Sequence, residues 1–434
     1  MFTAGVSEKV INPDFPSYLT GYPVPDRLHE RVHDDLKAHC FYLSDGRTET
    51  AIVTLDLCYY SKRRVKSARA AAAAASGVPA ENIMISCTHT HSAPAPAGDP
   101  LLVWDDRTEK YPDYLDQVDA SIAEGVQEAK KSAFRAGIAF AKGICGPAQN
   151  VGGNRHNPKG EHDEEVSTIL LKDIFGKVRG VLVSYSLHPT FLHAESKILT
   201  ADYPCYVYAC CKARYGADVV VGFQNGTSGD QSSRFFRSGQ NFDEAKRVGY
   251  AIASAGMDAA DRADINYAPE LRVLHGEFMP RLKDYPPYEK AVEIRDAAQA
   301  ELDRLNTEKA PYPVVRTQEC TLIGANKTVL VAKTIAEKGM DGIRTLLPFE
   351  LMTIVIGSVC MIGVPCEIFV RYGLAMKQSS PYADTYVASL SNGASSGYIC
   401  TPEAYEAGTY EALASLFAVG NGEAIVEAQK KLYE

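Results

Sequence analysis

The chain has 434 residues, 46% hydrophobic and 23% charged, the composition of a globular protein with material for a sizeable core. Acidic residues outnumber basic ones by 54 to 45 and no long basic run is present, which excludes the broad phosphate attraction behind general nucleic-acid or anionic-membrane binding. No apolar stretch is long enough to span a bilayer, and the opening MFTAGVSEKVINPDFP lacks the pattern of a secretory leader, so the expected setting is cytoplasmic without membrane insertion. The eleven cysteines are scattered without paired CxxC spacing and read as small buried thiols in a reducing compartment.

In chain order, CFYLSDG and TAIVTLDL read as strands flanking a turn at Ser44, Asp45 and Gly46, a hairpin. SKRRVKSARAAAAAASG is a helix by propensity, stopped by Gly77 and Pro79, and NIMISCTHTHS is a short buried strand running into a polar loop. A helix from about Tyr111 to Ser132 follows, then a strand around Gly137 to Ala141, a Gly/Asn-rich loop at Asn150 to Pro158, and the strands TILLKDI and GVLVSYSLH. Beyond them, YPCYVYACCKARYG reads as helical, DVVVGFQN as a buried strand and FDEAKRVGYAIASAGMDAADRA as a long amphipathic helix. A charged helical excursion lies near 285–310. LMTIVIGSVCMIGVPCEIF, broken by Gly and Pro, suits two buried strands joined at Gly357 and Ser358. No internal sequence repeat and no linker cuts the chain, which reads as a single α/β domain over 1–434.

Five segments are candidates for chemistry. His89-Thr90-His91 follows an apolar strand, and alternation along an extended chain puts both imidazoles on one side, suited to a metal or an anion; a hydrogen-bonded structural pair is the plainer reading. His188 ends a second buried strand in the same way. Catalytic zinc needs three protein ligands and an open position, so further ligands must come from elsewhere. Glu367 ends a nearly continuous apolar strand, where a lone carboxylate is expensive to bury, and either a metal or a salt bridge with Arg371 would neutralise it. In GTSGDQSSRF the glycines permit a tight turn that presents hydroxyls beside Asp230, a composition that an ordinary Asx or Ser turn explains equally well. GYICTPEAY reads as a strand-to-helix connection with Thr401 as N-cap and Pro402 in the first turn.

Taken together these segments resemble the neutral (non-lysosomal) ceramidase family. AGVSEKVINP with Gly21-Tyr22, LDL at Leu55 to Leu57, THTHSAP, Asn154-Arg155, HPT, GDQS, the apolar strand ending in Glu367, and SGYICTPEAY fall in family order across nearly the whole chain. The resemblance implies mixed sheets in a central layered core flanked by helices. It also implies a zinc ion held by His89, His188, Glu367 and the Tyr398 phenol, with His91, Arg155 and Tyr410 facing the reacting carbonyl or oxyanion. Ser232 matches the family's essential serine, either attacking or assisting a zinc-activated water. The departures are the absence of the family's C-terminal immunoglobulin-like domain, Ser233 in place of the usual proline, and His193 and Glu195 near the site.

The expectation is a zinc-dependent hydrolase, of amidohydrolase type, cleaving an amide, ester or lactone in a small soluble substrate. A true ceramidase is the narrower version. The alternatives are a metal-assisted isomerase or lyase acting on a sugar or hydroxy acid, and a non-catalytic metal-containing binding protein.

Overall fold

The computed structural model describes residues 1–22, 27–94, 112–393 and 397–434. Its larger sheet has eight strands: β1 (Thr3–Val10), β2 (Lys37–Ser44), β3 (Glu49–Leu55), β4 (Ile83–Cys87), β5 (Phe134–Ile144), β6 (Glu165–Asp173), β7 (Val178–Tyr185) and β8 (Val220–Asn225). They are ordered β8-β7-β6-β5-β1-β2-β3-β4. The two halves are joined in the sheet where Thr3 and Ala4 of β1 face Arg135 and Phe134 of β5. The second sheet is β9 (Leu271–Phe278), β10 (Phe349–Ile356), β11 (Val359–Gly363) and β12 (Asp384–Ala388), in that order.

One connectivity recurs three times. β1 to β4, β5 to β8 and β9 to β12 each pair antiparallel, antiparallel and then parallel. A tight turn links the second and third strands of each set. A helix crosses between the third and fourth: α1 (Lys62–Ser76), α3 (Tyr203–Tyr215) and α7 (Val370–Ser379). A parallel pair requires such a crossover, because a two-residue turn reverses the chain. Helices α2 (Pro112–Lys131) and α4 (Phe242–Ala260) follow the first two sets. The sequence betrays none of this, because each set needs only period-two strands and an apolar helix face, which different residues satisfy equally.

The alternation of each strand builds the layers. Ala51, Val53 and Leu55 of β3 pack with α1 to α4, while Ile52 points to a central core shared with Met352, Ile354 and Ile356 of β10. Phe349, Leu351 and Val355 face the opposite way, into a third cluster with Phe417 and Ile425. The expected arrangement of mixed sheets in a central layer, flanked by helices, is what is found.

Local expectations hold in detail. Ser61 caps α1 through a bond from the Arg64 amide, and Gly77 ends it at φ 74, a left-handed conformation in which a side chain would be strained. The strands on either side of Gly357 and Ser358 are antiparallel partners. Thr401 stands at the N-cap of a short helix, Pro402–Glu406. The charged excursion is larger than its composition suggests: α5 (Tyr288–Thr307) is followed by α6 (Tyr312–Lys338), inserted between β9 and β10. Among the described residues no helix is long and apolar enough to cross a membrane. All eleven cysteines are free.

Candidate metal centre

The C-terminal ends of the parallel pairs β3/β4, β7/β8 and β11/β12 supply the candidate residues. Past β4 the chain keeps pairing with the continuation of β3, through Thr88 N–H to Leu55 O at 2.8 Å and His89 N–H to Leu57 O at 3.0 Å. His89 then turns left-handed, at φ 70. A non-glycine residue in that region is costly and is held by its surroundings. The THTHS segment is therefore not a plain extended chain. His91 comes near because of this turn, its Nε2 lying 3.4 Å from Nε2 of His89.

His188 arrives from the end of β7 and Glu367 from beyond β11. Glu367 Oε2 lies 3.2 Å from Nε2 of His89 and 3.2 Å from Nε2 of His188, all three side chains being buried. The opposite nitrogens are committed: Nδ1 of His89 donates to Cys58 O at 3.0 Å, and Nδ1 of His188 to Ser228 O at 2.7 Å. A carbonyl can only accept, so Nδ1 of each ring carries a proton and Nε2 is the nitrogen turned toward the carboxylate. Neither His188 Nε2 nor Glu367 Oε2 has a hydrogen-bond partner. The unpartnered Nε2 of His188 and Oε2 of Glu367 thus face one another in a buried space, an arrangement that a cation relieves. Burial, reinforced by the charge of Arg155, pushes His188 down to about 4, the neutral form a ligand requires. Burial opposes ionisation of Glu367, but the charge of His89, itself raised despite burial well above its usual range by Cys58 and Glu367, together with His188 outweighs it and holds the carboxyl well below its usual range; a metal ion there would take the place of the His89 proton. The expected salt bridge to Arg371 is not formed: that guanidinium binds Glu161 and Glu403 on the surface.

Tyr398 is the direct register partner of Glu367 in a two-residue parallel ladder, Glu367–Ile368 with Tyr398–Ile399. Arg155 stacks over its ring, 5.4 Å from the centroid, and Tyr410 packs edge-on at 6.0 Å. Arg155 is itself buried, its Nη2 2.5 Å from Glu411 Oε1, while its Nε–H has no partner. Burial opposes the charge of Glu411, but Arg155 and His156 bring its pKa down to about 2.

Ser232 joins the group through a second small ladder, in which Gln231 faces Asn154 and Ser232 faces Gly153, next to Arg155. The His188 amide bonds to Gln231 O at 3.3 Å, which ties this loop to the histidine. The Ser232 hydroxyl oxygen accepts the Arg234 amide at 3.2 Å, and Ser233 is wholly buried with its hydroxyl unpartnered. Asp230 is structural: Oδ1 accepts the Val370 amide at 2.9 Å and Oδ2 the Asn154 side chain at 3.0 Å. Gly229 permits the close approach, since a Cβ there would lie 2.7 Å from Glu367 O. Gly21, at φ 98, makes room for His91, whose Cγ would be 2.3 Å from a Cβ at that position.

All eight residues singled out in the sequence are thus joined by contacts or short ladders. Three further residues of the site were not foreseen. Tyr59 donates to Glu367 Oε1 at 2.8 Å. Glu411 anchors Arg155, and the buried Arg27 donates to the His91 carbonyl at 2.9 Å. The only signals available were adjacency: Tyr59 follows LDL, and Glu411 follows Tyr410.

Two other donor groups are weaker candidates for a metal. Cys58 with His89 and His91 would use a thiol that burial pushes up and a histidine nitrogen already bonded to a carbonyl. His33, Asp34 and Cys205 form a satisfied cluster in which Asp34 accepts the Thr200 hydroxyl, the Ala201 amide and His33.

No family model matches the sequence, and no curated protein matches it. Among solved structures, neutral ceramidase from Pseudomonas aeruginosa superposes with a TM-score of 0.77 at 17% identity, covering 99% of this chain and 74% of that one. A ceramidase complexed with C2 gives 0.76 at 17% identity and the same coverage. At that identity the likeness establishes the fold, and the chain has the architecture of the neutral ceramidase structures over almost its entire length.

Proposed function

We propose that this chain is a zinc-dependent hydrolase that cleaves an amide, ester or lactone bond in a small molecule, residues 1–434 acting as one catalytic domain. The observation that carries the reading is the buried meeting of His89, His188 and Glu367, where Oε2 lies 3.2 Å from each Nε2 without a hydrogen bond between them. Two imidazoles and a carboxylate are a donor set of catalytic zinc. Tyr398, in register with Glu367, is the fourth ligand in this reading. Zinc bound there supplies Lewis acidity toward a carbonyl oxygen and lowers the pKa of water.

The protein's own groups do the rest. Arg155 offers its unpartnered Nε–H to the oxygen on which charge develops, fixed from behind by Glu411. Burial raises the Tyr410 phenol, so it keeps its proton and acts as a second donor to that oxygen. Ser232, already accepting a backbone amide, retains its own O–H and either attacks the carbonyl or passes a proton to the leaving group. His91, on the Tyr22 side of the ligands, receives or returns that proton.

The test is a screen of the zinc-loaded protein against N-acyl amino acids, N-acyl sphingoid bases, lactones and acylated sugars in heavy-oxygen water, with products identified by mass. Hydrolysis places one solvent oxygen in the acyl product. A product lacking it would turn the reading to isomerisation or elimination, cleavage of the N-acyl sphingoid bases alone would make the chain a true ceramidase, and no turnover would favour a binding protein.

A further inference from the structure

Arg155 and His156 are consecutive in the chain, yet both side chains meet the same carboxylate, that of Glu411. Neighbours along an extended strand point to opposite sides, so a turn must lie between them. Arg155 still belongs to the short ladder with the Ser232 loop, its amide donating to Asp230 O at 2.8 Å. The side chain of Asn154 then bends the chain. Its Oδ1 accepts the amides of His156 at 3.0 Å and Asn157 at 3.1 Å, an Asx turn. Its Nδ2 donates to Asp230 Oδ2 at 3.0 Å, which anchors the turn to the loop that carries Ser232.

Beyond this turn His156 Nε2 stands 2.9 Å from Glu411 Oε2, while Arg155 Nη2 stands 2.5 Å from Oε1. The contacts close a ring that runs from Asp230 through Asn154, His156, Glu411 and Arg155 back to Asp230. His156 is its solvent-facing member, with 35% of its side chain exposed.

Glu411 is only 2% exposed, and a buried carboxylate with one oxygen unmatched is costly. Arg155 meets one oxygen and His156 the other. A ring nitrogen facing a carboxylate carries a proton in one neutral tautomer as well as in the charged form, so this contact requires no particular charge on His156. With both oxygens met, the carboxylate presents a fixed edge to the guanidinium, which lies over the Tyr398 ring at 5.4 Å with its Nε–H unpartnered.

We propose that His156 is a positioning residue for Arg155, acting through Glu411: it holds the carboxylate against which the guanidinium is set, and so fixes where the unpartnered Nε–H points. This deepens the hydrolase reading and rests on it for the oxygen that Arg155 stabilises.

The test uses the zinc-loaded full chain and p-nitrophenyl hexanoate, an activated ester, and follows the part of the rate that chelation removes. His156→Ala is expected to lower kcat about tenfold or more with KM changed less than about twofold, because a displaced oxyanion donor acts on the transition state. Zinc content should stay at that of the wild type, since the ring contains none of the candidate ligands. His156→Gln, which keeps an N–H donor, should recover part of the loss, as should imidazole added to His156→Ala. In a Glu411→Gln background His156→Ala should cost nothing further, because residues that act through one contact are not additive. Unchanged kcat in His156→Ala, a full further loss in the Glu411→Gln background, or a loss that neither glutamine nor imidazole lessens overturns the proposal. Thermal melts of the same variants separate it from the reading on which it rests. Non-additive shifts for His156 and Glu411 without ester cleavage by the wild type support the brace and remove the hydrolase reading. Zinc-dependent cleavage with additive melts and rates indifferent to His156 does the reverse.

Discussion

The Tyr59 hydroxyl donates to Glu367 Oε1 at 2.8 Å, a bond from the end of β3 to the chain beyond β11 that leaves Oε2 turned toward His89 and His188. Tyr59 is therefore a positioning residue for the carboxylate. Outer hydrogen bonds of this kind fix the orientation of a ligand and are worth about ten- to a hundredfold in metal affinity. Tyr59→Phe should weaken zinc binding by that factor while leaving the fold intact, measured by competition with a chromophoric chelator. Unchanged affinity would mean that Glu367 is oriented by its strand alone.

Arg155 and Glu411 form a buried ion pair whose pH dependence has a definite sign. The folded-state pKa of Glu411, about 2, lies below its ordinary value of 4.5, so the unfolded chain takes up the proton first. Its contribution, roughly 3 kcal/mol, is complete above about pH 4.5 and disappears as the pH falls toward 2. Urea unfolding of the metal-free protein at pH 7 and pH 3 should show the advantage of wild type over Glu411→Gln shrinking with acidity. An advantage independent of pH would show that Glu411 is not held ionised by Arg155.

Gly21 is required twice over, by its φ of 98 and by the His91 ring that occupies the space of a Cβ. Gly176 also has a positive φ, 81, but nothing lies within 4 Å of its Cβ position. Gly176→Ala should cost about 1–2 kcal/mol of stability, the strain of a left-handed residue, with turnover preserved. Gly21→Ala should cost more and lower kcat by tenfold or more, on the order of what a displaced catalytic group loses. Equal effects in thermal melts and rates would dissociate Gly21 from the site.

Ser232 and Ser233 are neighbours with different surroundings. Ser232 is tied to the histidine loop and keeps its hydroxyl proton, whereas Ser233 is wholly buried. Ser232→Ala should reduce turnover by about a hundredfold or more, in the range of acid–base assistance, and Ser233→Ala far less. Equal losses would place the working hydroxyl elsewhere.

The elements were legible where local rules decide them. Gly77 ends α1, and the alternation of β3 and β10 separates the core faces. The candidate ligands His89, His188 and Glu367 were legible one at a time as polar residues at the ends of apolar strands, because burying them needs a compensating partner. Their convergence was not, since it depends on how three sets of strands pack around one core. Glu411 and Tyr59 escaped notice for the same reason: an Arg–Glu pair or a Tyr–Glu bond spanning 308 residues leaves no periodic trace in the sequence. The HxH argument reached the right juxtaposition for an incomplete reason, as alternation omits the left-handed turn at His89. Helix α6 was missed because its polar and apolar residues are mixed around its circumference, in keeping with described side chains that are buried, half-buried and exposed in turn.

The most direct measurement is the metal content of the purified chain set against its activity. Elemental analysis should find about one zinc per chain. Chelation should abolish turnover and zinc should restore it, and His89→Ala, His188→Ala and Glu367→Gln should each remain folded but lose both metal and activity. A metal-free protein with full activity, or full zinc occupancy in all three variants, would contradict a metal centre at His89, His188 and Glu367.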